Sequence, residues 1–186
     1  MNAEHGVLTN RDTVRFERLL PGPIDLVWEY ITDRDKLRTW LVDGFVESRV
    51  GADISLSQAS DELPIRNDVL VRGIVTRCEP PRLLAYTWRL APPDESPAEA
   101  EKFDALKQSE VIFELEERGE STLLVLTHRR IPTNHVPGAG ASWHAHLEYL
   151  MAHMARRDAK SFFTNYERVL PIYVRAQRRM ERRNRK

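Results

Sequence analysis

The sequence predicts an α+β domain in which a curved antiparallel sheet of six to seven strands wraps one long C-terminal helix, with two short helices after the first strand. Three observations predict it. Two consecutive hairpins have turns and alternation that fix which side chains share a face. A long apolar stripe at helical spacing begins at Trp143. Strands and helices fall in separate runs instead of alternating along the chain, so the sheet is antiparallel and its cover comes from the end of the sequence.

Taken in order, Thr13 to Leu20 (TVRFERLL) alternates Val14, Phe16 and, less cleanly, Arg18, which predicts a strand stopped by Pro21-Gly-Pro23. Asp25 to Thr32 follows as a short helix with proline in its first turn. Asp33 or Asp35 then caps a second short helix running to Trp40 or Leu41. Phe45–Val50 and Ala52–Gln58 predict two strands joined at Gly51, and Ala59–Asp68 a loop. In the next hairpin, a four-residue turn Glu79-Pro-Pro-Arg82 sets Val75 opposite Tyr86 and Gly73 opposite Trp88, leaving room for the indole. Val71, Leu84 and Leu90 share that face. Ala91–Lys107 is a Pro-rich, acidic connection close to the length limit for structureless loops. The following hairpin turns at Gly119-Glu120, pairing Leu115 with Leu124, Phe113 with Leu126 and Val111 with His128. Glu110, Glu114 and Glu116 fall on the opposite face, so His128 points to the apolar side.

The long helix places Trp143, Leu147, Leu150, Met151 and Met154 on one stripe, with Ala145 and Ala152 opposite. A further segment from Asp158 or Ser161 carries Phe162, Tyr166, Val169, Tyr173 and Met180 on another stripe, and Pro171 either kinks it or starts a new helix. The expected organisation is a tail over 1–12, a ligand-binding domain over 13–157 and a helical extension with a basic tail over 158–186.

Composition narrows the classes. Hydrophobic residues make up 41% and charged residues 30% of 186 residues, a balance of globular rather than disordered or membrane chains. No apolar run is long enough to span a bilayer and no secretory signal is visible, so no membrane insertion is expected and the location is cytoplasmic. One cysteine, Cys78, excludes an internal disulfide and a Cys-rich zinc site. Net charge is zero, yet Arg175 to Lys186 holds seven basic residues against one acid. Cations suit a helix C-terminus and no aromatics interleave them, so no nucleic acid is expected as a partner.

The segments FERLLPGPIDLVWEYITDRDKLRTWL, EPPRLLAYTW, TLLVLTHRRIP and SWHAHLEYL resemble the SRPBCC or START-like superfamily. They are most similar to its branch named for homology to the activator of the heat-shock-protein-90 ATPase. The resemblance covers roughly residues 13–157 in order. It implies a helix-grip fold with a hydrophobic cavity, and by its name alone a chaperone partner and a role in the stress response. Ser142 stands where a glycine commonly precedes the Trp-His pair and can cap the helix; the segment from Asp158 onward runs past the usual end.

Several chemistries can be weighed on spacing. His144 and His146 project about 200° apart on a helix, and His146 and His153 lie roughly 10 Å apart, so neither pair holds one ion. His144 and Glu148 could supply two ligands, but no third is evident; no metal and no cofactor is expected. Gly138-Ala-Gly140 lacks the remainder of a phosphate-loop fingerprint and reads as a lead-in to a capped helix, with the histidines on its flanks. Cys78 beside a turn has no histidine nearby to activate it.

The reading that results is a binding domain for a small hydrophobic or aromatic molecule, without an assigned catalytic activity. Trp40, Trp88, Phe113, Leu126, Trp143, Leu147 and Met151 form its apolar walls, and Tyr86 and His128 its orienting polar groups. One alternative is a cyclase- or dehydratase-type enzyme using His128 as acid/base. Another is a protein-interaction domain, either co-chaperone-like or a homodimer contacting through the tail helix.

Overall fold

The computed structural model describes residues 5–41, 43–57, 70–92, 94–96, 99 and 108–183. Its elements are β1 (Val7–Asn10), β2 (Thr13–Pro21), α1 (Ile24–Thr32), α2 (Arg34–Leu37), β3 (Asp53–Leu56), β4 (Leu70–Glu79), β5 (Leu83–Ala91), β6 (Ser109–Arg118), β7 (Ser121–Arg129), α3 (Val136–Met154) and α4 (Phe162–Arg183). The seven strands form one sheet in the order β1-β2-β7-β6-β5-β4-β3, antiparallel at every junction. This is the expected α+β helix-grip architecture, with α3 across the concave face.

Alternation creates that face. Val14, Phe16 and Leu20 on β2, Val111 and Phe113 on β6, and Leu124 and Leu126 on β7 are buried toward α3. The β6–β7 register is the one expected, with Val111 opposite His128, Phe113 opposite Leu126 and a two-residue turn in which Gly119 takes φ +66°. Glu110 lies on the other face but is buried there, accepting hydrogen bonds from Thr76 Oγ1 at 2.9 Å and Arg129 Nε at 2.6 Å.

The β4–β5 hairpin reaches the expected pairing by a different route. Val75 faces Tyr86, but the turn is three residues long, with Glu79 opposite Leu83, and an irregularity between Val75 and Arg77 absorbs the extra residue. Gly73 is required by backbone, not by the Trp88 indole: a Cβ there would lie 1.8 Å from the Thr87 carbonyl oxygen. The Thr87 hydroxyl accepts from Ile74 N–H at 2.9 Å beside it.

Four other expectations change. Residues 45–50 do not form a strand: Val46 N–H donates to the Thr32 carbonyl at 3.1 Å, turning this stretch toward the end of α1. The seventh strand is instead β1, inside the segment expected to be a tail. The second of the two expected strands is shorter, Asp53–Leu56, and Gln58 lies outside the described residues, as do the 59–68 loop and most of 93–107. Around the helices, Pro23 sits at the N-cap of α1, and Asp33 caps an α2 that ends at Leu37, its carboxylate accepting from Lys36 N–H at 3.1 Å.

The C-terminal helices depart further. Helix α3 begins at Val136 with Pro137 in its first turn, so Gly138, Gly140 and Ser142 are helix interior, and Ser142 is not a cap. Helix α4 is continuous through Pro171 and packs along α3. Its Phe162 ring packs on Ala145, and its Val169 and Tyr173 join the central core. Gly140 permits this approach, because a Cβ would stand 2.6 Å from the Tyr173 ring. Both sides of α3 are therefore covered, and His144 and His146, expected on its flanks, are buried.

Candidate ligand site on the concave face

Five of the expected site residues converge. The Tyr86 and Trp88 rings stack at 6.3 Å, Tyr86 meets Phe113 at 6.2 Å, and Trp88 meets Trp143 at 5.4 Å. Phe113 and Trp143 meet edge to face at 6.1 Å, and His128 sits 5.9 Å from Trp88 and 6.2 Å from Trp143. Strand pairing explains the cluster. Tyr86 faces Val111, Leu84 faces Phe113, Trp88 faces Ser109 and Val111 faces His128, so the aromatic positions of β5, β6 and β7 are direct or diagonal neighbours beneath Trp143 of α3. Leu126 and Leu147 are fully buried in the same core, and Met151 is half-buried at its margin.

Exposure along β5 grades outward on this face. Leu84 and Tyr86 are buried, Trp88 is half-buried, and Leu90 is 58% exposed. The open end of the face is therefore at the C-terminal end of β5, beside Ser109.

Polar groups here are few. The Tyr86 side chain is buried, and burial pushes its pKa upward. His128 uses both ring nitrogens: Nδ1 accepts from the Trp143 indole N–H at 3.0 Å, and Nε2 lies 2.9 Å from Ser109 Oγ. Burial pulls its pKa down to about 3, so the imidazole is neutral at physiological pH. Ser109, which the sequence reading missed, was legible by alternation, being two residues before Val111 on the inward parity of β6.

Trp40, also expected among the walls, is buried in the same hydrophobic core, though among the described residues its ring pairs with none of the five rings. Its indole donates to the Tyr30 carbonyl at 2.8 Å, and its own carbonyl accepts from His146 Nδ1 at 2.9 Å. The His146 ring packs against Phe162 in a tilted arrangement at 4.8 Å, and burial lowers its pKa to about 4.

On the α4 side of α3, His144 is fully buried. Arg168 donates weakly to its Nε2 at 3.4 Å, and Glu148 Oε1 is 3.9 Å from the same nitrogen. Its Nδ1 has no partner, and the His5 ring lies 5.3 Å away. Burial, then the nearby Arg18, His5 and Arg168, lower its pKa to about 3. Among the described residues no group of three His, Cys, Asp or Glu side chains could hold a metal ion. Cys78 is half-buried, and burial raises its pKa, the reverse of an activated thiol. An open groove of about 390 Å³ lies on the convex side, among Arg15, Glu114, Glu116 and Val125, away from the aromatic cluster.

A curved antiparallel sheet closed by a long helix, with an aromatic concave face, defines the helix-grip class. Residues 21–155 match the family described as activator of Hsp90 ATPase homolog 1-like protein, and the chain belongs to that family. The match ends at Ala155, the first residue after α3, so α4 lies beyond it.

Among solved structures, the chain is similar to a protein of Bordetella parapertussis determined by solution NMR, at 35% identity, with 91% of this chain and 88% of that one covered and a TM-score of 0.67. It shares its fold with CalU16 from Micromonospora echinospora, at 20% identity, 89% and 88% coverage and a TM-score of 0.64. It also shares it with DynU16 of the dynemicin biosynthetic locus, at 20% identity, 77% and 47% coverage and a TM-score of 0.60. No curated protein matches the chain. No helix among the described residues is long and apolar enough to cross a membrane.

Proposed function

We propose that the chain binds a small hydrophobic, ring-bearing molecule against the concave face, between β5–β7 and α3. The observation that carries the reading is the aromatic cluster of Tyr86, Trp88, Phe113 and Trp143 on the concave face, with the Tyr86 phenol buried among its rings. Aromatic walls with one convergent polar group are the usual make-up of small-molecule sites.

The enzymatic alternative has less support, because both nitrogens of His128 are engaged inside the protein and burial lowers its pKa to about 3, which disfavours proton exchange near neutrality. The co-chaperone reading has the family name behind it and no surface observation.

Binding is testable by native mass spectrometry and by quenching of tryptophan fluorescence with 2-naphthol. The expected result is a one-to-one complex that Trp88→Ala weakens at least ten-fold. Absence of a complex at millimolar 2-naphthol and of any apolar molecule carried through purification would contradict it.

A further inference from the structure

The hydrogen-bond chain through His128 has fixed ends. At one end the Trp143 indole N–H can only donate, here to His128 Nδ1 at 3.0 Å. At the other the Trp88 carbonyl can only accept, and Ser109 Oγ–H donates to it at 2.7 Å. With its proton spent on that carbonyl, the Ser109 oxygen faces His128 Nε2 at 2.9 Å as an acceptor. Nε2 must therefore carry the imidazole proton and Nδ1 the lone pair. The two ends leave one neutral tautomer, and every proton in the chain is placed by geometry. The alternative tautomer sets N–H against N–H at Trp143, and the doubly protonated ring does the same.

The chain also ties four elements together: β5 through the Trp88 carbonyl, β6 through Ser109, β7 through His128 and α3 through Trp143. It crosses the sheet near the open end of the concave face, where Trp88 is half-buried and Leu90 exposed. The indole is the only link in the chain borne by the helix, so its orientation follows from the proton position on His128.

We propose that His128 is a positioning residue, and that Ser109, by fixing its Nε2–H tautomer, sets the orientation of Trp143 as the helix-side wall of the ligand site. This rests on the proposed function for its consequence, since the wall matters only if a molecule sits against it. Ligand specificity at this wall is then one of shape and ring contact, because the indole N–H, both imidazole nitrogens and the serine hydroxyl are already used. Tyr86 is the polar group of the cluster that remains to orient the ligand.

Long-range ¹H–¹⁵N spectra of the histidines, the ¹H–¹⁵N indole signal of Trp143 and 2-naphthol titrations are compared for the full-length wild type, Ser109→Ala and Ser109→Thr. The expected result is a pure Nε2–H tautomer at His128 in the wild type. In Ser109→Ala that tautomer is depleted, the Trp143 indole signal moves and 2-naphthol binds at least ten-fold more weakly. Ser109→Thr, which keeps the hydroxyl, restores all three.

An Nδ1–H tautomer in the wild type overturns the proposal, as does an unmoved Trp143 signal in Ser109→Ala. Binding to wild type that Ser109→Ala leaves unchanged overturns the link to the ligand while leaving the binding site standing. If 2-naphthol does not bind the wild type, the binding reading fails, and the tautomer and indole signals still decide the positioning role.

Discussion

The two sides of α3 solve the same problem, buried polar groups, in opposite ways. Toward the sheet, Trp143, His128 and Ser109 pass hydrogen bonds from donor to acceptor until the chain ends on a backbone carbonyl. Toward α4, the helix offers Gly140 and Ala145 to large rings, and a polar residue there, His144, is buried with an unpartnered Nδ1 near Arg18 and Arg168. The first side lies inside the family match and the second is created by α4, beyond it. The difference separates an interface organised by directed hydrogen bonds from one organised by size.

The largest effects compare the aromatic anchors. Tyr173→Ala should cost about 3–5 kcal/mol in urea unfolding, since it empties the ring-sized space over Gly140 and removes the acceptor of the Gly6 N–H bond at 3.0 Å. Trp143→Ala should cost a similar amount, but only Trp143→Ala should also abolish 2-naphthol binding. Equal loss of binding in both would mean the two sides are not distinct.

Acid tests both sides together. His128, His144 and His146 have folded-state pKa values lowered to about 3, 3 and 4 from an ordinary 6.5. The unfolded chain therefore binds more protons between those values, so their contribution is complete above pH 6.5 and lost as pH falls toward 4. Each histidine accounts for about 1.4 kcal/mol per pH unit in that window. Urea midpoints at pH 7, 5.5 and 4.5 should fall accordingly, and His144→Gln should remove about one proton from the slope.

Size complementarity predicts a contrast between two glycines two residues apart on α3. Gly140→Ala should destabilise by about 1–3 kcal/mol, because its Cβ lands 2.6 Å from the Tyr173 ring. Gly138→Ala meets only the Tyr166 hydroxyl at 3.5 Å and should stabilise by about 0.5–1 kcal/mol through helix propensity. Thermal melts decide both.

The smallest effect is the sharpest. Ser109→Ala removes the acceptor of the His128 Nε2–H and breaks the hydrogen-bond chain in its middle, which should cost about 1–3 kcal/mol. His144→Leu removes a group that is already unsatisfied and should change stability by less than about 1 kcal/mol in either direction. A large loss from His144→Leu would show that this side, too, depends on directed hydrogen bonds.

Much of the sheet was legible because period-two alternation and two-residue turns are local. The pairing of Val111 with His128 needed only Gly119-Glu120 and the outward glutamates. The compensating irregularity at Thr76 was not legible, since a three-residue turn and a four-residue turn place Tyr86 opposite Val75 equally well once a bulge is allowed. Helix α3 failed for a related reason. An apolar stripe marks one buried side, but Ala145 opposite it looks the same whether it faces water or Phe162, and Gly140 has no side chain to mark its contact with Tyr173. Arg18, an awkward member of the first strand's alternation, is buried near that second interface, where Glu148 and Tyr173 offset part of its desolvation. Of the candidate site, the ring positions followed from parity, whereas the role of His128 did not. Which of its nitrogens holds the proton depends on partners far apart in sequence.

The most direct measurement is a 2-naphthol titration followed on the four tryptophan indole ¹H–¹⁵N signals, assigned by single Trp→Phe variants. The account predicts saturable shifts of Trp88 and Trp143, with Trp28 on α1 unmoved. Shifts confined to Trp28, or none at saturation, would contradict a ligand site on the concave face.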